Sequence, residues 1–322
     1  MAEHLLSICI PTNGVSRWVI PTLDNLYSLG AEESLFEVVV ADNGGSDSDL
    51  AEPIKQFQCH CNFRYIPTQV RGFYNIIENF VLARGDFMIK LNHRCILHKG
   101  MIEYIYDQAE KYYETKPLMF FLNGNMGFQE VREYNNFNDF MFDFSYMSSL
   151  SEGLFFWKED ICRVPEIKFA PMSPNVSLMF DSRRKNLFVL DGNRICHDQN
   201  SKGKYGYALF ETFAVFYMDL INEVRIDGSI TNKTYLKIKN DIFHFLCDCY
   251  ISMINDGAYE NYTLDDMKDS LSIYYSERDY KYIYRKVKYY IHPLVVVKRW
   301  GAAMLFKIRS SVNKIRLLLI FN

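Results

Sequence analysis

The sequence predicts an α/β fold, with a mainly parallel sheet flanked by helices and a helical region after it. Over residues 5–125, short apolar runs that fit strands alternate with longer segments of helical spacing, which is typical of βαβ units. After residue 205 the strand patterns stop and long helical patterns replace them. We therefore predict a sheet domain over 1–204, a helical region over 205–292 and a basic amphipathic tail helix over 293–322.

The elements follow from hydrophobic periodicity. Apolar runs predict strands over 5–10, 36–41, 62–66, 86–91, 118–122, 153–157 and 187–190. Apolar residues three and four positions apart predict helices over 15–29, 48–57, 72–83, 100–113, 174–181, 207–223, 235–254 and 265–290. Residues 124–146 fit neither pattern, and we expect loops or irregular strands there. Because crossovers between parallel strands are right-handed, the carboxyl ends of the strands should meet at one edge.

The composition is that of a globular protein and argues against several other classes. Of the 322 residues, 49% are hydrophobic and 23% are charged, which argues against bulk disorder. The net charge of −3 gives no support for nucleic-acid binding. No run of 18 apolar residues occurs, so we predict no membrane-spanning helix. The N-terminal MAEHLLSICIP lacks the regions of a signal peptide, and we expect a cytoplasmic protein.

The eight cysteines are mostly isolated, and we expect reduced thiols in the core. The Cys-His-Cys segment at 59–61 and the Cys-Asp-Cys segment at 247–249 could suggest zinc binding. Neither has the two-residue gap of common zinc sites, and no second cluster completes four ligands. We therefore predict no structural zinc at either segment.

The C-terminal part of the chain is strongly basic. From Tyr280 to Asn322 there are ten Lys and Arg and no Asp or Glu, whereas the residues before them carry 26 basic and 39 acidic side chains. Apolar residues in the predicted tail helix recur at steps of three and four: Trp300, Met304, Ile308, Val312, Ile315 and Leu319. This pattern is typical of a helix in a membrane interface, where anionic lipid adds about 1 kcal/mol per basic residue. The alternative is a terminal helix that packs on the protein itself.

Two loops at adjacent predicted strand ends carry polar residues suited to a ligand. The first is SICIPTNG (7–14), and the second is VVVADNGGSDSD (38–49). A carboxylate at a strand end can accept hydrogen bonds from a ribose or a base edge, and the following glycines allow close approach to the backbone. Taken alone, Asp-Asn-Gly-Gly is also typical of a plain turn.

The order of these motifs resembles the nucleotide-binding half of GT-A family 2 glycosyltransferases of the bacterial polysaccharide, O-antigen and capsule type. The resemblance rests on the Pro-Thr pair, the Asp-Asn-Gly-Gly-Ser-Asp loop, Arg71-Gly72 before a helix with Asn75 and Asn79, and Ala-Arg-Gly-Asp-Phe at 83–87. It covers residues 5–125 well and 126–200 loosely. It implies that Asp42 binds the base and ribose, in a nucleotide-sugar pocket lined by Pro11, Thr12, Asn13, Asp42, Asn43, Gly44 and Arg71.

The strand at 86–91 departs from the family pattern. In the family this strand ends in an Asp-x-Asp or Asp-Asp-Asp element, which holds Mg²⁺ or Mn²⁺ on the diphosphate. Here the matching residues are Asn92, His93 and Arg94, which offer no carboxylate to a hard cation. We therefore expect no divalent metal at these positions and interpret Arg94 as a diphosphate ligand, with His93 as a second donor. The alternative is that both are surface groups of a loop, or of a fold without activity.

An inverting transferase also needs a carboxylate that accepts the acceptor's proton. The segment that matches the family's Glu-Asp pair, 172–175, contains no acid. We predict Glu152 as the catalytic base, with Asp143 as the second candidate, and a retaining reaction would need neither. His197 follows the last strand and is predicted to face the diphosphate, although a His-Asp pair also fits a polar loop.

The sequence thus predicts a glycosyltransferase that moves a sugar from a nucleotide-sugar donor to a glycan or polyprenyl-linked acceptor in bacterial lipopolysaccharide or capsule synthesis, without a metal. It would contact the cytoplasmic face of the inner membrane through residues 280–322 and bind no nucleic acid. One alternative is an inactive relative that serves as partner or scaffold of an active transferase. Another is a nucleotidyltransferase, which would also need acidic metal ligands.

Overall fold

A computed structural model describes residues 4–199, 208–256 and 266–290, apart from the side chains of 253–256, 287, 288 and 290. Its strands are β1 (Leu6–Thr12), β2 (Phe36–Asp42), β3 (Phe63–Pro67), β4 (Phe87–Lys90), β5 (Cys95–Leu97), β6 (Leu118–Phe121), β7 (Val131–Tyr134), β8 (Leu154–Trp157), β9 (Phe188–Asp191) and β10 (Cys196–Asp198). Its α-helices are α1 (Ser16–Ser28), α2 (Tyr74–Leu82), α3 (Met101–Lys111), α4 (Phe137–Phe144), α5 (Lys158–Cys162), α6 (Pro174–Asp181), α7 (Tyr217–Ile226), α8 (Asn232–Asp256), α9 (Met267–Tyr274) and α10 (Glu277–Tyr290).

The main sheet has eight strands in the order β3-β2-β1-β4-β8-β6-β9-β7. Strands β3, β2, β1 and β4 run parallel to one another, as do β6 and β9, whereas β8 and β7 pair antiparallel with their neighbours. Strands β5 and β10 form a separate antiparallel ribbon. The predicted α/β fold, with a mostly parallel sheet, flanking helices and C-terminal helices, is confirmed.

The core lies on the two faces of the parallel strands. Val38, Val39 and Val40 of β2 are all fully buried, because helices or loops cover both faces of the sheet. Helix α1 buries Val19 and Leu23 in the same core. Contrary to the expectation of buried thiols, three cysteines are exposed: Cys59, Cys61 and Cys162.

Four predicted segments differ from the structure. The stretch 124–146 contains β7 and α4 rather than irregular structure alone. The helix predicted over 48–57 is a 3₁₀ helix at Pro53–Cys59, which begins at the proline. The segment 207–223 begins with a π-helix at Glu211–Phe216 before α7. The single helix predicted over 265–290 is divided into α9 and α10.

The chain forms two compact units. One comprises Met1–Lys202 with Phe216–Ile242, and the other comprises Gly203–Val215 with Phe243–Asn322. The predicted domain boundaries at 204/205 and 292/293, and the tail helix over 293–322, fall outside the described residues and stay predictions. In the part of the chain that the structure describes, no helix combines the length and apolar character needed to cross a bilayer.

Candidate functional site

The two predicted loops meet where β1 and β2 end. Thr12 lies opposite Asp42 in the parallel register, and the backbone N–H of Asn43 donates to the carbonyl of Thr12 at 3.0 Å. A Cβ added at Gly14 would lie 2.7 Å from Ser48 Cα, and one added at Gly44 would lie 2.4 Å from the carbonyl oxygen of Asn13. These two glycines therefore permit the two loops to pack closely on each other.

Asp42 organises the second loop. Its Oδ1 accepts a hydrogen bond from the backbone N–H of Gly44 at 2.8 Å, and its Oδ2 accepts from the hydroxyls of Ser48 at 2.6 Å and Tyr65 at 2.8 Å. Its side chain is almost fully buried. Burial, and then the hydrogen bond to Asp42, raise the pKa of Tyr65 to about 12. The predicted base-binding carboxylate thus holds the loop that a nucleotide would contact.

The segment before α2 is tied to the same edge. The Asn43 side-chain amide donates to the carbonyls of Val70 and Gly72, at 3.2 and 3.1 Å, and so places the exposed Arg71 beside the two loops. The buried Asn75 amide donates to the carbonyls of Thr12 and Ala41, at 3.2 and 2.8 Å, which makes it a structural residue of the strand ends.

Two further residues of the first loop line this edge. Pro11 and Asn13 are both half-buried on either side of Thr12. The Asn13 side-chain oxygen is buried and has no hydrogen-bond partner among the described residues. An unpaired buried acceptor is unfavourable by about 1–3 kcal/mol, so a ligand or loop donor that reached it would be stabilising.

His93 is held in place immediately after β4. Its Nδ1 lies 2.8 Å from the Thr12 hydroxyl, and its ring centroid lies 5.3 Å from that of Trp18. Its backbone carbonyl accepts a hydrogen bond from the Thr22 hydroxyl of α1 at 2.9 Å. The end of β4 is thereby joined to the end of β1 and to α1.

Arg94 is buried without an acidic partner. Its side chain is 7% exposed, and its guanidinium carbon lies 5.6 Å from the centroid of the Trp18 ring. Its Nε donates to the Asn92 side-chain oxygen at 3.4 Å, a long hydrogen bond. Among the described residues, no ion pair joins it to an Asp or Glu. Burial of an unpaired charge is costly, so this position favours an anionic ligand.

Hydrogen bonds of the β5–β10 ribbon also hold the backbone around Arg94 in position. The Asn25 side chain of α1 donates to and accepts from the backbone of Leu97 in β5, at 3.2 and 2.8 Å. The backbone N–H of Gln199, just after β10, donates to the carbonyl of Arg94 at 2.8 Å. His197 is exposed on β10, and its Nδ1 lies 3.3 Å from Nε2 of His98.

A cluster of titratable side chains surrounds Cys95, the residue that follows Arg94 in the chain. Lys90 is 5% exposed and donates to the Ser151 hydroxyl at 3.0 Å; burial lowers its pKa, and the negative charge of Glu152 opposes that shift. The Cys95 thiol donates to the Glu152 carboxylate and lies 3.4 Å from Oδ1 of Asp198. A hydrogen bond with Cys196, and then burial, raise the pKa of Cys95 well above its usual range.

Asp143, the second candidate base, is not part of this arrangement. It lies on α4 and accepts a hydrogen bond from the Tyr134 hydroxyl of β7 at 2.9 Å. β7 is the edge strand, four strand spacings from β4 in the sheet order, or roughly 19 Å at about 4.8 Å per strand.

The structure therefore brings together most of the predicted residues at the ends of β1, β2 and β4. It adds four that sequence reasoning did not select: Trp18, Cys95, Cys196 and Asp198. Trp18 has the spacing of an ordinary core residue of α1, and the cysteines converge from segments about 100 residues apart, so no local pattern indicates either.

The chemistry of the donor set bears on the divalent cation that the family resemblance implies. Asn92 and His93 supply no carboxylate, and Arg94 adds a positive charge where the cation would lie. The nearby carboxylates of Glu152 and Asp198 contact the Cys95 thiol. These residues do not fit an oxygen-ligated Mg²⁺ or Mn²⁺ site on a diphosphate.

No family model and no curated protein matches the chain. Solved structures do match. S. aureus TarS 1-349 in complex with UDP-GlcNAc is 12% identical, with a TM-score of 0.53 over 85% of this chain and 77% of that chain. The mannosyltransferase PcManGT from Pyrobaculum calidifontis, in complex with GDP-Man and Mn²⁺, is 12% identical, with a TM-score of 0.50 over 97% of this chain and 87% of that chain. At these identities the likeness concerns the fold, and the chain has the GT-A type of α/β fold.

Proposed function

We propose that the protein is a glycosyltransferase that binds a nucleotide-sugar donor where β1, β2 and β4 end. The observation that carries the proposal is the buried Arg94 guanidinium, which lacks an acidic partner among the described residues and lies beside the two packed loops. The fold likeness to structures that contain UDP-GlcNAc and GDP-Man supports a donor of this class.

In this proposal the nucleoside lies against the two loops. Pro11, Asn13 and Gly44 line the pocket, and Arg71 lies at its entrance. Asp42 acts through the loop, because its carboxylate already accepts three hydrogen bonds from Gly44, Ser48 and Tyr65. The unpaired Asn13 oxygen is an acceptor for a donor group of the base or ribose.

The diphosphate is bound by protein side chains rather than by a divalent cation. Arg94 can present two parallel N–H groups to phosphate oxygens, and hydrogen bonds to charged groups contribute about 1.5–3 kcal/mol each. The indole of Trp18 supports the guanidinium, and the Thr12 hydroxyl orients the neighbouring His93. His197, on the adjacent ribbon, is the proposed second histidine on the diphosphate.

We assign no proton acceptor. The Cys95 thiol donates a hydrogen bond to one oxygen of the Glu152 carboxylate, and Asp143 contacts the edge strand β7. For the acceptor, we propose a polyprenyl-linked glycan of bacterial surface polysaccharide synthesis at the cytoplasmic membrane face. The charge of residues 280–322 supports this location, as do Lys281 and Arg285 of α10, which lie close to the exposed Tyr282.

A thermal-shift screen against UDP-, GDP-, dTDP- and CMP-sugars, each with and without Mn²⁺, tests the proposal. We expect one nucleotide class to raise the melting temperature equally in both conditions. A shift that requires Mn²⁺ would contradict the metal-independent binding. No shift with any donor would favour the non-enzymatic partner or scaffold, which the missing carboxylates at Asn92, His93 and Arg94 also fit.

A further inference from the structure

A second cluster lies between the sheet and the β5–β10 ribbon. Cys95 belongs to β5, Cys196 belongs to β10, and Glu152 lies in the turn that leads into β8. One ligand atom from each lies within 4.8 Å of the others, and both cysteines are buried. Asp198 adds a carboxylate oxygen 3.4 Å from Cys95 Sγ.

We propose that Cys95, Cys196 and Glu152 bind one zinc ion, with the exposed Asp198 carboxylate beside Cys95 as the fourth ligand. Thiolate ligands favour zinc over Mg²⁺ or Mn²⁺, and a structural zinc site takes four ligands in a tetrahedron. With Zn–S near ~2.3 Å and Zn–O near ~2.1 Å, two ligands of such a tetrahedron are about 3.6 Å apart. The 3.4 Å between Cys95 Sγ and Asp198 Oδ1 is close to this separation.

The surrounding charges suit such an ion. Two thiolates and two carboxylates carry four negative charges, which zinc and the buried Lys90 ammonium would offset in part. Lys90 lies within electrostatic range of Glu152, Cys95, Asp198 and Arg94. Without a metal, the Cys95 thiol donates a hydrogen bond to the Glu152 carboxylate, so metal binding must displace its proton.

The ion would fasten the ribbon to the sheet. Cys95 directly follows Arg94 in the chain, and Cys196 directly precedes His197. A zinc bound at the four side chains would thus hold two residues of the proposed donor site without contacting the donor. It also uses Glu152 as a ligand, which removes this carboxylate as a catalytic base. The site depends on no assumption about glycosyl transfer.

The test measures metal directly in the full chain. We expect one zinc per chain after gel filtration in metal-free buffer, determined by elemental mass spectrometry. Replacement of zinc by Co²⁺ should give thiolate-to-cobalt charge-transfer absorption in the near ultraviolet. Cys95→Ser and Cys196→Ser should each lose the zinc and this absorption.

The exposed pair Cys59 and Cys61 provides the matched control. The double variant Cys59→Ser/Cys61→Ser should keep both the zinc and the cobalt spectrum. Because a cysteine variant can also misfold, zinc added back to the metal-stripped native chain should raise its melting temperature. The proposal would be overturned by a native chain that contains no zinc, or by loss of zinc from the Cys59→Ser/Cys61→Ser control alone. A Cys95–Cys196 disulfide in freshly purified protein would also overturn it.

Discussion

Asp42 is the residue for which the structure adds most to the sequence interpretation. The family resemblance implies that it binds base and ribose, which stays a prediction, and in the structure its carboxylate already accepts hydrogen bonds from three donors. The strand-end position is predictable, because a buried valine-rich run ends there. The partners are not, since Tyr65 comes from another strand and reaches Asp42 only after the sheet forms.

The Tyr65–Asp42 hydrogen bond gives a pH-dependent prediction. The pKa of Tyr65 is raised from 10.0 to about 12 in the folded protein. Its contribution to stability is therefore complete below pH 10 and is lost as the pH rises toward 12. In urea titrations we expect Tyr65→Phe to lower the free energy of unfolding by about 1 kcal/mol at pH 8. By pH 12 the free energy of unfolding of the native protein should fall to that of the variant. A difference in unfolding free energy that stays constant from pH 8 to pH 12 would contradict the assignment.

The role of Arg94 can be predicted from the sequence, whereas the contact of Trp18 with it cannot. Arg94 is conspicuous in the sequence, because a guanidinium follows a core strand where the family that the sequence resembles has a carboxylate. Trp18, which supports it, is one apolar residue among several on α1. The stacking arises because α1 packs beside the end of β4, a contact between elements about 70 residues apart.

At the scale of elements, Gly14 carries the contact between the two loops. Gly14 and Gly30 both have positive φ, +79° and +78°, but a Cβ at Gly14 would collide with Ser48, whereas one at Gly30 meets nothing within 4 Å. Substitution by Ala should destabilise both by about 1–2 kcal/mol through the backbone. Gly14→Ala should lose more stability and also weaken donor binding, measured by urea titration and calorimetry. Equal behaviour of the two variants would show that the loop contact is unimportant.

Regular elements were predictable where a hydrophobic period of adequate length exists. Strands β1 and β2 and helix α6 appear within two residues of their predicted bounds. Strands β5 and β10 have three residues each and pair across about 100 residues, so they leave no local period. Helix α4 did leave a signal: Asn136 caps it by accepting from the N–H of Asp139, and buried apolar residues follow at helical spacing.

The division of the last predicted helix also has a local cause. The Ser276 hydroxyl accepts a hydrogen bond from the N–H of Asp279, and the Asp279 carboxylate accepts from the N–H of Ser276. This reciprocal pair is a capping box, which starts a new helix at Glu277. The Ser-x-x-Asp spacing is present in the sequence, within a continuous helical period that by itself predicts one long helix.

At the scale of the whole molecule, charge separates the basic C-terminal part from the acidic remainder. Lys281 and Arg285 of α10 lie in the described portion of that basic part. If it contacts anionic lipid, the double variant Lys281→Gln/Arg285→Gln should bind anionic vesicles less tightly by about 2 kcal/mol, or roughly 30-fold. Co-sedimentation with anionic and neutral vesicles measures this. Unchanged binding to anionic vesicles would place the membrane contact elsewhere.

In the proposed donor site, a fixed guanidinium replaces a divalent cation on the diphosphate. Arg94 follows β4 and Arg84 precedes it, so the exposed Arg84 is a matched control at the opposite end of the same strand. Calorimetric titration compares the nucleoside diphosphate of the strongest screen hit with its parent nucleoside, with and without Mn²⁺. We expect Arg94→Ala to weaken diphosphate binding by about 10- to 100-fold and to leave nucleoside binding unchanged. Arg84→Ala should bind both ligands with native affinity, and Mn²⁺ should not change any of these affinities. Native-like diphosphate binding by Arg94→Ala, or native binding that requires Mn²⁺, would contradict the claim.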